Sequence, residues 1–214
     1  MSVMTTSIDF ITLTVPDVDA AKAFYRTAFG DALGDRLRFA EGADTTSGFR
    51  GYVLSLVVAD PVVADSFLEP ALEAGATEVK PAKKSFWGYG GVIAAPDGAL
   101  WKVASSKKKA TGAPARQLED VVLLLGVDDV AATKEFYVER GLAVAKSFGR
   151  KYVEFQSEPQ SVTLALYGRR AAAKDAGVPA DGSGSHRLTI GGGIGPCTDP
   201  DGFVWTPHSV PARG

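Results

Sequence analysis

Two histidines, His186 and His208, and one cysteine, Cys197, are the chain's whole stock of imidazole and thiol. Metal or acid–base chemistry must draw on these few groups, on a lysine or on carboxylates. Side chains alternate along a strand, so a strand through the last part of the sequence puts Thr206 and His208 on one side. His186 opens the run into Leu188 and Ile190. With a carboxylate such as Glu154, the two histidines would imitate a two-histidine, one-carboxylate centre for Fe, Zn, Mn or Ni. Two plainer readings compete with it, a metal-free polar contact to a ligand and a structural role. The structural role is preferred, because His186 follows a small-residue loop, Asp181 to Ser185. Lys102 joins His208 and Glu154 as an acid–base candidate. Cys197 has no histidine spaced to activate it and reads as a small buried residue.

Aromatic residues form the other chemical signal. Phe49, Tyr52, Trp87 and Tyr89, then Phe148, Tyr152 and Tyr167, fall outside the internally repeated framework described below. Aromatic walls with a few polar groups suit a flat, partly apolar small molecule. Arg50, Arg150 and Arg187 are either partners for an anionic group on such a molecule or rim charges.

These groups are carried by a chain of 214 residues, 45% hydrophobic and 22% charged. That balance excludes disorder, collagen and a coiled coil. A formal net charge of -2 gives no global basic footprint, so no nucleic-acid partner is expected. No apolar run approaches the roughly 18 residues of a membrane span, and the first ten residues lack the pattern of a secretory signal. A cytoplasmic location and no membrane partner are the corresponding expectations. One cysteine excludes an intrachain disulfide framework and a multi-cysteine zinc site.

The sequence repeats itself. Val15 to Tyr25 matches Val127 to Tyr137 at seven of eleven positions, and Pro96 to Trp101 matches Pro200 to Trp205 at four of six. The β-branched run Ile8 to Val15 predicts a strand, Asp17 an N-cap, and Val18, Ala21, Phe24, Tyr25 and Ala28 the buried face of a helix that Gly30 ends. A second strand over Asp120 to Val127, the N-cap Asp129 and a stop at Gly141 echo this. Asp60-Pro61 opens a further helix to Gly75, which Pro70 should kink or restart. The second copy has no such helix. It carries strand-like runs over Ala143 to Lys146, Lys151 to Gln156 and Val162 to Tyr167. Each Pro-Asp-Gly turn reads as joining a β-hairpin, Gly91–Ala95 with Leu100–Ala104 and Leu188–Cys197 with Phe203–His208. Gly88 to Gly91 and Gly191 to Gly193 read as tight turns. Domain limits of 1–105 and 118–214 follow, with 106–117 as an exposed linker. Its Lys107-Lys108-Lys109 reads as solvated surface.

This order of strand, Asp-capped helix ending in Phe-Tyr, further strands and Pro-Asp-Gly resembles the vicinal oxygen chelate superfamily, the glyoxalase, bleomycin-resistance and extradiol-dioxygenase group. Ser47-Gly48-Phe49-Arg50-Gly51, Phe86-Trp87-Gly88-Tyr89 and Leu164-Ala165-Leu166-Tyr167-Gly168 look like its glyoxalase-like members. The resemblance implies an α+β fold of two tandem βαβββ modules, with open-barrel sheets around a cavity. It also implies metal-ligand positions, fourteen residues before the Phe of each Phe-Tyr and four after the Gly of each Pro-Asp-Gly. Here these are Phe10, Lys102, Val122 and Thr206, none of them a normal ligand.

Phe10, Thr12, Thr14, Leu100, Lys102, Val204 and Thr206 are expected to face the cavity. Ile11, Leu13, Trp101 and Trp205 are expected to pack under the helices. The resulting expectation is a protein that binds a small aromatic or otherwise partly apolar molecule, in the manner of sequestering resistance proteins, without cofactor. Phe10, Thr12, Phe49, Trp87, Tyr89 and Lys102 would contribute, with Tyr152, Tyr167, His186, Thr206 and His208. The alternative is a lyase, isomerase or dioxygenase-like enzyme using a relocated divalent metal or the metal-free groups Lys102, His208 and Glu154. A small molecule is the expected partner, and the chain is expected to be a monomer or homodimer.

Overall fold

The computed structural model describes residues 6–112 and 115–207. The chain begins with β1 (Ile8–Val15), α1 (Val18–Phe29), β2 (Leu37–Glu41) and β3 (Thr46–Gly48). It continues with β4 (Tyr52–Val58), α2 (Pro61–Glu73), β5 (Thr77–Ser85), β6 (Gly88–Ala94) and β7 (Leu100–Ser105). Next come β8 (Leu118–Val127), α3 (Val130–Glu139), β9 (Val144–Phe148), β10 (Tyr152–Phe155) and β11 (Thr163–Gly168). The chain closes with α4 (Arg169–Ala176), β12 (Gly182–Gly184), β13 (Leu188–Gly192), β14 (Cys197–Thr198) and β15 (Val204–Thr206). This is the α+β class expected from the sequence, and neither large sheet closes into a barrel.

Two complete βαβββ units lie in the middle of the chain, β4–α2–β5–β6–β7 and β8–α3–β9–β10–β11. They join edge to edge through antiparallel β4 and β8, giving one eight-stranded sheet in the order β5-β6-β7-β4-β8-β11-β10-β9. In each unit the first strand runs parallel to the last, β4 to β7 and β8 to β11. The outer segments repeat this logic in reduced form. β1 is parallel to β2 and β13 to β15, while antiparallel β1 and β13 join them into a five-stranded sheet. The sequence repeat therefore relates half-chains that each hold one complete and one shortened unit. The first half shortens its first unit and the second half its last.

Local physics accounts for the elements. Asp17 Oδ1 accepts from the Ala20 amide at 2.9 Å, and Gly30, at φ 60°, ends α1. Asp60 caps α2 through the Val62 amide, Pro61 occupies its first turn, and the helix continues through Pro70, close to its C-terminal end. Asp129 caps α3 in the same way. The hairpin at the first Pro-Asp-Gly turn forms as expected, between β6 and β7. At the second turn the outcome differs, since β13 pairs parallel to β15 and only the two-residue β14 makes the antiparallel partner. The two glycine runs also depart from the turn reading: Gly88–Gly91 lie in β6 and Gly191–Gly192 in β13. Gly191 has a packing reason, because a Cβ there would sit 2.1 Å from Cζ of Phe10.

One apolar core joins Ile11, Leu13, Ile190 and Trp205 of the small sheet, Leu54, Leu56, Trp101 and Leu123 of the large sheet, and the buried faces of α1, α2 and α3. Trp101 and Trp205 are fully buried, as their spacing predicted. Each Trp indole N–H donates to the hydroxyl of the helix tyrosine, Trp101 to Tyr25 and Trp205 to Tyr137, both at 3.1 Å. A smaller core covers the opposite face of the large sheet, where Ala172, Ala173 and Ala176 of α4 pack with Phe49, Val53 and Val92. Among the described residues no helix is long and apolar enough to cross a membrane.

Candidate functional site

The face of the large sheet turned away from α1, α2 and α3 carries the alternate residues of its central strands. Ser55, Lys102, Val122 and Thr163 stand in register across β4, β7, β8 and β11. Helix α4 lies across this face. Gly126 of β8 lets it approach, since a Cβ there would meet Ala172 Cβ at 3.2 Å and Arg169 Cα at 3.3 Å. Lys102 Nζ pairs with Asp175 Oδ2 at 2.7 Å, and Lys80 Nζ donates to the Asp175 carbonyl at 2.8 Å. The two lysines thus clamp the C-terminal half of α4 to the sheet.

Beside α4 the sheet remains open. A cavity of about 490 Å³ is floored by Val57, Val92, Lys102 and Ala104, walled by Asp175, and rimmed by Lys80, Lys83, Ser85 and Trp87. The expected pair Trp87 and Lys102 meets here. Tyr89 reaches the cavity from β6, but its hydroxyl donates to Asp65 of α2 at 2.6 Å, on the helix side of the sheet. Burial and Asp65 push that phenol up to about 12.

Across α4, another group of expected residues comes together on β9, β10 and β11. The rings of Phe148, Tyr152 and Tyr167 follow one another at 6.1 and 6.0 Å. Glu154 accepts from the Tyr152 hydroxyl at 2.9 Å and pairs with Lys146 at 2.7 Å. Burial, then Glu154, drives the Tyr152 phenol far above its ordinary range. Asp120 lies nearby on β8, where burial raises its carboxyl while Thr163 Oγ1 donates to it.

His186 and Phe49 belong to a separate cavity of about 350 Å³, with Arg50, Asp128, Arg169 and Asp201. His186 Nδ1 lies 2.6 Å from the Arg50 carbonyl and Nε2 3.0 Å from the Asp201 carbonyl, and its ring stacks on Phe203 at 3.9 Å. Both ring nitrogens face backbone carbonyls, and the residue lines this cavity. Phe10, Thr12 and Thr206 sit on the small sheet, with Phe10 and Thr206 flanking Gly191 in register and the Arg38 guanidinium 3.5 Å over the Phe10 ring. His208 lies outside the described residues.

The residues at the sheet centres do not fit a divalent metal. The large sheet offers a serine, a valine, a threonine bonded to Asp120 and an ammonium paired with Asp175. Its counterpart offers Phe10 under a guanidinium, Gly191 and Thr206. Glu154 and His186 belong to different clusters, and among the described residues no three His, Cys, Asp or Glu side chains group as a metal site would require.

Sequence reasoning missed Asp175, Lys80 and the whole of α4. The segment Arg169–Ala176 has the signal, an alanine-rich run with Arg and Lys and no β-branched residue. Its brevity and its position within a strand-rich half hid it.

Comparison with known proteins supports the architecture. No protein-family model matches the sequence, and no curated protein sequence does either. Among solved structures, glyoxalase I from Zea mays aligns over 94% of this chain and 92% of its own, at 15% identity and TM-score 0.61. A proposed dioxygenase from Bacillus subtilis subsp. subtilis str. 168 aligns over 88% and 70%, at 14% identity and TM-score 0.57. A glyoxalase/bleomycin resistance protein/dioxygenase family enzyme from Burkholderia phytofirmans PsJN aligns over 47% of this chain and 98% of its own, at 17% identity and TM-score 0.39. The chain shares the fold of the first two. At these identities the likeness concerns the fold and leaves the chemistry to the site.

Proposed function

We propose that this glyoxalase-fold chain is a cytoplasmic protein that binds a small, partly apolar aromatic molecule in the cavity beside α4, and does so without a metal. The observation that carries the reading is the ion pair between Lys102 and Asp175. It sets a cation at the sheet centre, where the resemblance implies a metal ligand, and ties that position to a helix. The cavity left open combines Val57, Val92 and Ala104 with the ring of Trp87 and the ammonium groups of Lys80, Lys83 and Lys102. Such a lining favours an aromatic body bearing an acidic group, with the ring against Trp87 and the anion toward the lysines. Sequestration is the function such a site serves.

Tryptophan fluorescence tests this directly, because Trp87 is 83% exposed whereas Trp101 and Trp205 are buried. Aromatic carboxylates should quench the solvent-exposed emission and raise Tm, and Trp87→Phe should remove the quenching. No thermal shift across a broad aromatic set would overturn the reading. So would about one equivalent of Fe, Zn, Mn or Ni per chain after purification without chelator.

A further inference from the structure

The tip of the β5–β6 hairpin presents two large rings to solvent. Phe86 is 81% exposed and Trp87 83%, and their rings meet edge to face at 4.9 Å. Gly88 packs so closely on the chain leaving β7 that a Cβ there would sit 2.0 Å from the Ser105 carbonyl oxygen. This apposition carries Lys107, Lys108 and Lys109 alongside the tip, with Lys108 Nζ 5.5 Å from the Phe86 ring centroid. Lys83 and Lys84 flank the rings on β5. All five lysines are exposed, and among the described residues none of them forms an ion pair. Residues 80–112 contain a single acidic side chain, Asp97, which sits at the far end of the β6–β7 hairpin and accepts from Tyr25. The nearest carboxylates on the neighbouring helix are Asp65, engaged by the Tyr89 hydroxyl, and Glu69.

We infer that this tip docks the protein on an anionic lipid bilayer, with Phe86 and Trp87 entering the interface and the lysines meeting lipid phosphates. Aromatic side chains favour the headgroup boundary, and each lysine near an anionic surface adds to the attraction. A convex hairpin tip with one ring pair suits a soft interface. A single-stranded nucleic acid is instead tracked along a groove by successive stacking rings. A second copy of the chain would set lysines against lysines. The net charge of -2 hides this feature, because it averages over a surface on which the cations are local.

Co-sedimentation with vesicles tests the inference, using phosphatidylcholine alone and a mixture about one-third phosphatidylglycerol. The full chain is expected to bind only the anionic vesicles, less at high salt, with a blue shift of the Trp87 emission. Lys107→Glu, Lys108→Glu and Lys109→Glu together should weaken binding about a hundredfold or more, at about 1 kcal/mol per lysine. Phe86→Ser with Trp87→Ser should abolish it while Tm stays within a few degrees, since both side chains are exposed. Absence of binding to anionic vesicles at low salt would overturn the inference. Equal binding by the lysine-to-glutamate variant would also overturn it. Binding to single-stranded RNA but not vesicles, or a dimer that the Phe86/Trp87 variant breaks without vesicle binding, would reassign the tip.

Discussion

Lys102 Nζ and Asp175 Oδ2 lie 2.7 Å apart, joining the centre of the large sheet to the helix that covers it. Their side chains are 34% and 42% exposed, so solvent screens the pair and its stabilising effect is about 1 kcal/mol or less. Its larger consequence is for charge in the cavity. Asp175→Asn should lower unfolding free energy by no more than that amount, while tightening binding of aromatic carboxylates and leaving neutral analogues unchanged. Denaturant titration and Trp87 quenching report the two effects separately.

Gly126 controls how closely α4 sits. Gly126→Val should cost about 1–3 kcal/mol, because its branches enter space held by Ala172, Arg169 and the Gly51 carbonyl. The strain falls on α4, so limited proteolysis should cut the segment after Gly168 earlier than in the parent. An unchanged digestion pattern would show that α4 accommodates the branches.

Asp120 is raised by burial, so the folded chain keeps its proton over a pH range in which the unfolded chain, with a carboxyl near 3.8, has lost it. This contribution to stability is complete below 3.8 and disappears as pH rises through the folded value. Asp120→Asn, which carries no charge at either pH, should therefore gain on the parent between about pH 4 and pH 7. Urea unfolding at the two pH values measures the difference, and a constant gap between the proteins would contradict it.

The Tyr137 hydroxyl donates to Asp199 Oδ2 at 2.7 Å and accepts from the buried Trp205 indole. Tyr137→Phe removes the partner of Asp199 Oδ2 and of the Trp205 indole N–H and should cost about 1–3 kcal/mol by urea denaturation. Tyr25→Phe makes the parallel test in the first half, where the partners are Asp97 and Trp101.

Phe10 and Gly191 should show coupled energetics. Gly191→Ala drives a methyl into the Phe10 ring and should destabilise by about 1–3 kcal/mol. In a Phe10→Ala background the same change should cost much less, which a double-mutant cycle reads as a coupling energy. Additive effects would show that the ring swings aside at little cost.

Much of the local structure was legible in the sequence. Ile8–Val15, the Asp17 and Asp129 caps, the helix faces bearing Tyr25 and Tyr137, and burial of Trp101 and Trp205 all follow from residue type and period. The site was legible only in part. Trp87 and Lys102 share a cavity, and Tyr152, Glu154 and Tyr167 share a face, but Phe10, Thr12 and Thr206 belong to the other sheet and His186 to another cavity.

The residues alone determined the strand Ile8–Val15, where α1, α2 and α3 start and which face of α1 turns inward, because capping and periodicity act over a few neighbouring positions. Tertiary structure decided which strands pair. Parallel alignment of β4 with β7, and the junctions of β1 with β13 and β4 with β8, join residues far apart in the chain, and no local propensity encodes them. For the same reason Lys102 met Asp175, and Lys108 came beside Phe86, only through packing. An ammonium group takes its role from the charge and surface set against it, and in this fold those partners come from distant segments.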